Sequence, residues 1–138
     1  MINFPIRRRF RHGAEAAGVF LAWGLFSSLP LDKASSFGGW IARMIGPRLK
    51  VSGKARRNLC LAFPEKDSSE IDAILREVWD NLGRLAAEFP HLKRIAAERV
   101  EIVGRQHLDT MRNDRRPGLL VSAHFGGWEL SGHLAGQL

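Results

Sequence analysis

A chain of 138 residues, 45% hydrophobic and 25% charged, has room for one ordinary domain and the composition of a folding polypeptide, which excludes a disordered chain. Its net charge of +7 favours anionic partners, with acidic phospholipid and nucleic acid the two usual candidates. A single cysteine, Cys60, excludes an internal disulfide, suggests no cysteine-based metal site and agrees with a reducing compartment.

The charge is unevenly placed. Residues 1–57 carry 11 Lys/Arg against 2 acidic residues, and residues 58–138 carry 10 against 12. The whole excess therefore surrounds the most apolar segment. Basic residues flanking an apolar stretch are the pattern of attachment to an anionic bilayer. A nucleic-acid reader would carry its basic patch on the folded domain, with aromatics interleaved.

In chain order, the cluster from Arg7 to Arg11 precedes an uncharged stretch from Ala16 to Leu31. As a helix those residues reach about 24 Å, short of the roughly 30 Å hydrocarbon core. Gly18, Gly24, Ser27, Ser28 and Pro30 weaken insertion further, so the segment reads as a short or tilted membrane anchor that need not cross fully. A cleaved signal peptide shares the basic start and apolar middle, but no Ala-x-Ala-like site follows. A buried core helix shares the length. Seven Lys/Arg between this segment and residue 57, against four before it, place the following domain on the cytoplasmic side.

Phe37, Trp40, Ile41, Met44 and Ile45 have helical spacing within residues 34–49, broken by Gly46-Pro47. Trp23 and Trp40 suit a headgroup interface, as they also suit plain packing. A helix over Gly53–Ala62 ends at Phe63-Pro64. Within it Cys60 lies in an apolar run and reads as a buried structural thiol. Asp67 is an N-cap, with Glu70 completing a capping box for the next helix. Ile71, Ile74, Leu75, Val78, Leu82, Leu85, Ala86 and Phe89 then mark one buried face as far as Pro90. Asn81 and Arg84 on this helix read as solvated or structural.

From Val100 the pattern changes. Val100–Val103 alternates like a short strand, Gln106–Arg112 suits a short helix, and Asn113–Gly118 is a turn. Gly118–Ala123 is a continuous apolar run of the kind found in a buried strand. The expected fold is α/β: N-terminal membrane-associated helices followed by the start of an α/β acyltransferase sheet.

The last strand delivers the chain to His124-Phe125-Gly126-Gly127-Trp128-Glu129. Open α/β sheets place reactive groups at the carboxyl ends of their strands. The glycine pair lets the backbone turn and approach a substrate, and Glu129 falls in the first turn of the following helix. A carboxylate on one imidazole nitrogen fixes the tautomer and raises basicity, leaving the other nitrogen to take a proton. That is a general base suited to an alcohol, with backbone N–H groups of the glycine turn available to an oxyanion. The spacing of His and Glu alone is weak, and a structural histidine fits it equally well.

The stretch Val121–Leu130 closely resembles the His-x4-acid signature of the lipid A biosynthesis (lauroyl/myristoyl) acyltransferase family. Arg57-Asn58-Leu59 with Ala62-Phe63-Pro64-Glu65 is similar to that family's Asn-Leu…Phe-Pro segment. Trp79-Asp80-Asn81-Leu82-Gly83-Arg84 with Glu88 resembles its Asn-x-Gly-Arg…Glu helix. The chain departs from the pattern at Gly127, where the family commonly has Asn, and family chains run to about twice this length or more.

The resemblance implies transfer of a fatty acyl chain from acyl carrier protein to a hydroxyl of a lipid A precursor, at the cytoplasmic face of the bacterial inner membrane. It implies His124 and Glu129 as the catalytic pair and Phe125, Gly126, Gly127 and Trp128 as substrate-binding residues. Membrane phospholipids are further partners, nucleic acid is not, and no metal or cofactor is implied beyond the acyl carrier protein co-substrate. His12, His91, His107 and His133 share no ligand-like spacing and are expected to be non-catalytic. The expected organisation is a basic N-terminus and anchor over residues 1–33, then the N-terminal part of an acyltransferase domain over residues 34–138. That part is truncated on its C-terminal side and expected to be inactive by itself. A related glycolipid or phosphatidylinositol mannoside acyltransferase and a non-catalytic membrane-binding fragment remain the alternative readings.

Overall fold

The computed structural model describes residues 6–114, 116–119, 121–123 and 126–135. The chain divides into two compact units, residues 1–90 and 91–138.

In the first unit α1 spans Ile6–Ser28, α2 Leu31–Ile45, α3 Lys50–Ala62 and α4 Ser68–Glu88, with a 3-10 turn at Gly46–Arg48 between α2 and α3. The start of α4 is set by Asp67. Its carboxylate accepts the backbone N–H groups of Ser69 and Glu70 at 2.8 and 2.9 Å, and Glu70 Oε2 accepts the Asp67 N–H at 3.0 Å. These bonds satisfy donors that a helix start otherwise leaves unpaired. They also hold the Asp67 carboxyl below the usual carboxylate range, the bond from the Glu70 N–H contributing most.

The core of this unit lies between α2 and α4. Ile71, Leu75 and Ala87 of α4 are buried, as are Leu31 and Ala34 of α2. Ile71, Leu75, Trp79, Gly83 and Ala87 recur every four residues and form one ridge. Facing it, α2 offers Ala34, Gly38, Ala42 and, just past its end, Gly46. A Cβ on Gly38 would meet the Ala87 methyl and the Gly83 carbonyl, and one on Gly83 would meet Ala42 and the Gly38 carbonyl. The backbones therefore approach as only glycine allows. Gly46 lies under the Trp79 ring, whose Nε1–H donates to Ser52 Oγ at 2.9 Å, and the buried Ser52 hydroxyl donates to the Gly46 carbonyl at 2.5 Å. The Ser35 hydroxyl donates to Glu88 at 2.6 Å, and Arg56 of α3 pairs with Asp72 of α4 at 2.8 Å.

This close approach corrects the expected buried face of α4. Val78 and Leu82 are exposed rather than buried, because the small-residue contact turns the helix toward Gly83 and Ala87. Cys60, expected to be buried, is exposed on α3, which meets α4 through Ser52 and Arg56 rather than through its last turn.

The apolar stretch Ala16–Leu31 is not one helix. Its end is drawn in by Ser27 and Ser28, whose hydroxyls donate to the carbonyls of Trp23 and Leu25 at 2.7 Å. At Pro30 the backbone is extended (φ −56°, ψ 142°) and α2 begins on the next residue. Among the described residues no helix is long and apolar enough to cross a membrane.

The second unit contains α5 (Leu92–Glu98), α6 (Arg105–Asn113) and α7 (Glu129–Ala135). Ile95 is its buried apolar residue among those described. The expected α/β architecture is overturned here: every regular element among the described residues is a helix, and there is no strand or sheet. The run Val100–Val103 is cut by a turn at Val103-Gly104, where Gly104 takes φ +80° and starts α6. Of the run 118–123, the described residues carry no regular structure, and Val121 is 87% exposed. An apolar run becomes a buried strand only when neighbours complete its hydrogen-bond ladder and cover both faces. No described segment does either.

Candidate active site

The candidate site lies at the turn that opens α7. Gly126 has φ +46°, a left-handed conformation that a side chain at that position would strain. Gly126, Gly127 and Trp128 form a turn that winds directly into the helix. The Leu130 N–H donates to the Gly127 carbonyl at 2.9 Å and the Ser131 N–H to the Trp128 carbonyl at 3.0 Å. The glycine pair thus makes the sharp turn that its sequence implies, and Glu129 stands at the first position of α7.

Glu129 is half-buried, and its Oε2 is shielded from solvent without a hydrogen-bond partner among the described residues. Buried carboxylate oxygens are ordinarily paired, since leaving one unpaired costs about 1–3 kcal/mol or more. The turn therefore holds an acceptor directed away from water. Trp128 beside it is partly exposed.

His124 and Phe125 lie outside the described residues. The structure thus brings together Gly126, Gly127, Trp128 and Glu129 in one turn. Of the other histidines, His12 Nδ1 lies 3.1 Å from Glu15 Oε2 on α1, and His107 sits on α6 with its ring against Gly104.

Two further features bear on the surroundings of the site, the first of them not evident from the sequence. One is a cavity of about 410 Å³ in the second unit, lined by Ala96, Val100, Ile102, Leu108 and Leu134, with Arg105 as its cation. Its lining comes from α5, α6, α7 and the loop at 99–104, so no single segment carries a readable signal. Leu134 belongs to the same short helix as Glu129. The other is the role of the polar residues in the Asn-x-Gly-Arg…Glu helix. Arg84 Nε donates to the buried Asp80 carboxylate at 2.5 Å, and Glu88 accepts from Ser35, while Asn81 is exposed. Arg84 thus pairs within α4, and Glu88 ties α4 to α2.

No curated protein and no solved structure matches the chain. The profile of the bacterial lipid A biosynthesis acyltransferase family matches residues 5–137. That match takes in the Phe-Pro segment, the α4 motif and the glycine turn before Glu129 alike. The chain belongs to the bacterial lipid A biosynthesis acyltransferase family.

Proposed function

We propose that the protein transfers a fatty acyl chain from acyl carrier protein to a hydroxyl of a lipid A precursor at the cytoplasmic face of the inner membrane. The family match over residues 5–137 carries this reading. The buried Glu129 Oε2, without a partner among the described residues, supports the assignment of roles.

In the proposed reaction His124 takes the proton of the acceptor hydroxyl as that oxygen attacks the thioester carbonyl. The tetrahedral intermediate collapses, the carbon–sulfur bond breaks, and the proton passes from the imidazole to the departing carrier thiolate. Glu129 orients the imidazole and stabilises its charged form. Phe125, Gly126, Gly127 and Trp128 shape the wall on which the acyl group lies, and backbone N–H groups of the turn face the developing oxyanion. The reaction in this scheme uses no metal or redox cofactor.

Residues 1–33 act as the membrane attachment and residues 34–138 as part of the acyltransferase domain. Supporting this, α1 exposes its apolar side chains freely: Phe20 is 76% exposed, and a Cβ added at Gly13, Gly18 or Gly24 would meet nothing within 4 Å. A helix rich in apolar residues and uncovered along most of its described length suits partial insertion into a lipid surface better than water.

The test is mass spectrometry of cellular lipid A from strains carrying the native gene or its His124→Ala version at the native locus. The variant's lipid is expected to lack one acyl chain. Unchanged lipid A would remove His124 from this reaction.

A further inference from the structure

We infer that the outer face of α2 is a second membrane-contacting surface, which docks on acidic phospholipid at the headgroup–acyl boundary. The inference rests on the membrane location proposed above and is independent of the acyl-transfer chemistry.

One side of α2 is committed to protein. Leu31, Ala34, Ser35, Gly38 and Gly39 are buried against α4. The opposite side carries Phe37, Trp40 and Met44 at spacings of three and four, so they stand in one row. Trp40 is 59% exposed and Met44 50%, and Ile45 beside them is 54% exposed. The Phe37 and Trp40 rings stack with centroids 6.1 Å apart, and Phe26 of α1 lies 6.3 Å from Phe37. An apolar row of this size, continuous with α1, is not the surface of a helix that ends in water.

The cations of α2 and of the α3 that follows it select the occupant. Lys33 lies in the first turn of α2, and Lys50, Lys54 and Arg57 follow on α3; all are exposed and have no acidic partner among the described residues. Arg48, donating to the Met44 carbonyl, sits at the end of the row. Residues 1–57 hold an excess of nine positive charges, 11 Lys/Arg against 2 acidic residues. Two copies of this face brought together would set like charges against each other. A sheet of acidic headgroups neutralises them while the aromatic row enters the interface, where Trp is favoured and Lys stems lie along apolar surface. With its small residues packed on α4 and its apolar row turned outward, α2 can lay that row in the interface plane.

The test uses the native protein with Cys60→Ser and one new cysteine, Phe20→Cys, Met44→Cys or Ala73→Cys, each labelled with a polarity-sensitive fluorophore. Ala73 is exposed on the side of α4 away from Ile71 and Leu75. Vesicles of phosphatidylglycerol or phosphatidylcholine carry a quencher near the headgroups. On phosphatidylglycerol the labels at 20 and 44 are expected to be quenched and the label at 73 not, with quenching at 44 much reduced on phosphatidylcholine. Trp40→Ser with Met44→Ser is expected to weaken binding to phosphatidylglycerol vesicles about tenfold or more. A label at 44 that stays unquenched while that at 20 is quenched overturns the inference and leaves α1 as the attachment. A label at 44 shielded before lipid is added, by self-association or a bound protein, overturns it as well. Quenching at 44 in a protein whose His124→Ala version leaves lipid A unchanged upholds the membrane surface and removes only His124 from the proposed reaction.

Discussion

In residues 6–90 the polar side chains that leave solvent have partners, within a helix or between helices. Asp80 meets Arg84, Glu88 receives the Ser35 hydroxyl, and Ser52 links the Trp79 indole to the Gly46 carbonyl. In residues 91–138 the comparable group, Glu129 Oε2, is shielded with no partner among the described residues, at the start of a seven-residue helix. The contrast extends to the glycines. Gly38 and Gly83 exist for packing, since a Cβ on either would strike the opposite helix, whereas Gly126 has open space around it and a left-handed backbone. The first unit is explained by how it folds. The turn at 126–129 holds a shielded acceptor that no packing among the described residues accounts for.

Substitutions can break or sharpen that contrast. The largest effect is expected at the turn: Glu129→Gln should slow acyl transfer by about 10²- to 10⁴-fold while leaving the melting temperature unchanged, measured by turnover and circular dichroism on the native protein. A normal rate would reduce Glu129 to a helix-start residue. Next comes Gly83→Ala, where overpacking against Gly38 and Ala42 is expected to cost about 1–3 kcal/mol, outweighing the roughly 1 kcal/mol that alanine contributes to a helix. Denaturant unfolding reads the sign. Gly53→Ala on α3 should have the opposite sign, a gain of about 0.5–1 kcal/mol, because nothing lies within 4 Å of the new methyl.

The smallest effect concerns the cap of α4. Asp67→Ala should lower the melting temperature by a few degrees at neutral pH. The Asp67 carboxyl is held below its ordinary value by the Glu70 and Ser69 N–H groups, so its folded pKa lies below its unfolded one. Its contribution is complete above the ordinary carboxylate range and is lost as pH falls through the depressed value. Asp67→Asn, which caps without titrating, should remove that part of the acid sensitivity and no other.

How much was legible in the sequence differs along the same line. The α4 helix was readable because a capping box and a long apolar period name both its start and its type. Its true contact face was not, since the residues that set it, Gly38, Gly83 and Ala87, carry almost no hydrophobic signal. The runs 100–103 and 118–123 look like strands because short apolar runs cannot be told from coil or buried helix by periodicity, and no pairing partner is visible in one segment. The apolar stretch from Ala16 to Leu31 hid a break that Ser27, Ser28 and Pro30 made foreseeable. At the site, the helix start at Glu129 and the turn at Gly126 followed from the glycine pair, while the shielding of Oε2 depends on contacts that spacing cannot express.

The pairing of Glu129 with His124 is tested most directly by the pH dependence of kcat/KM for acyl transfer, comparing the native protein with Glu129→Gln. A carboxylate beside an imidazole favours the protonated ring and raises its pKa, so removing the charge should lower that pKa. The acid limb of the profile is expected to move to lower pH in the variant, with the plateau rate reduced. An unmoved limb at an undiminished rate would contradict the pair and leave Glu129 with no part in the reaction.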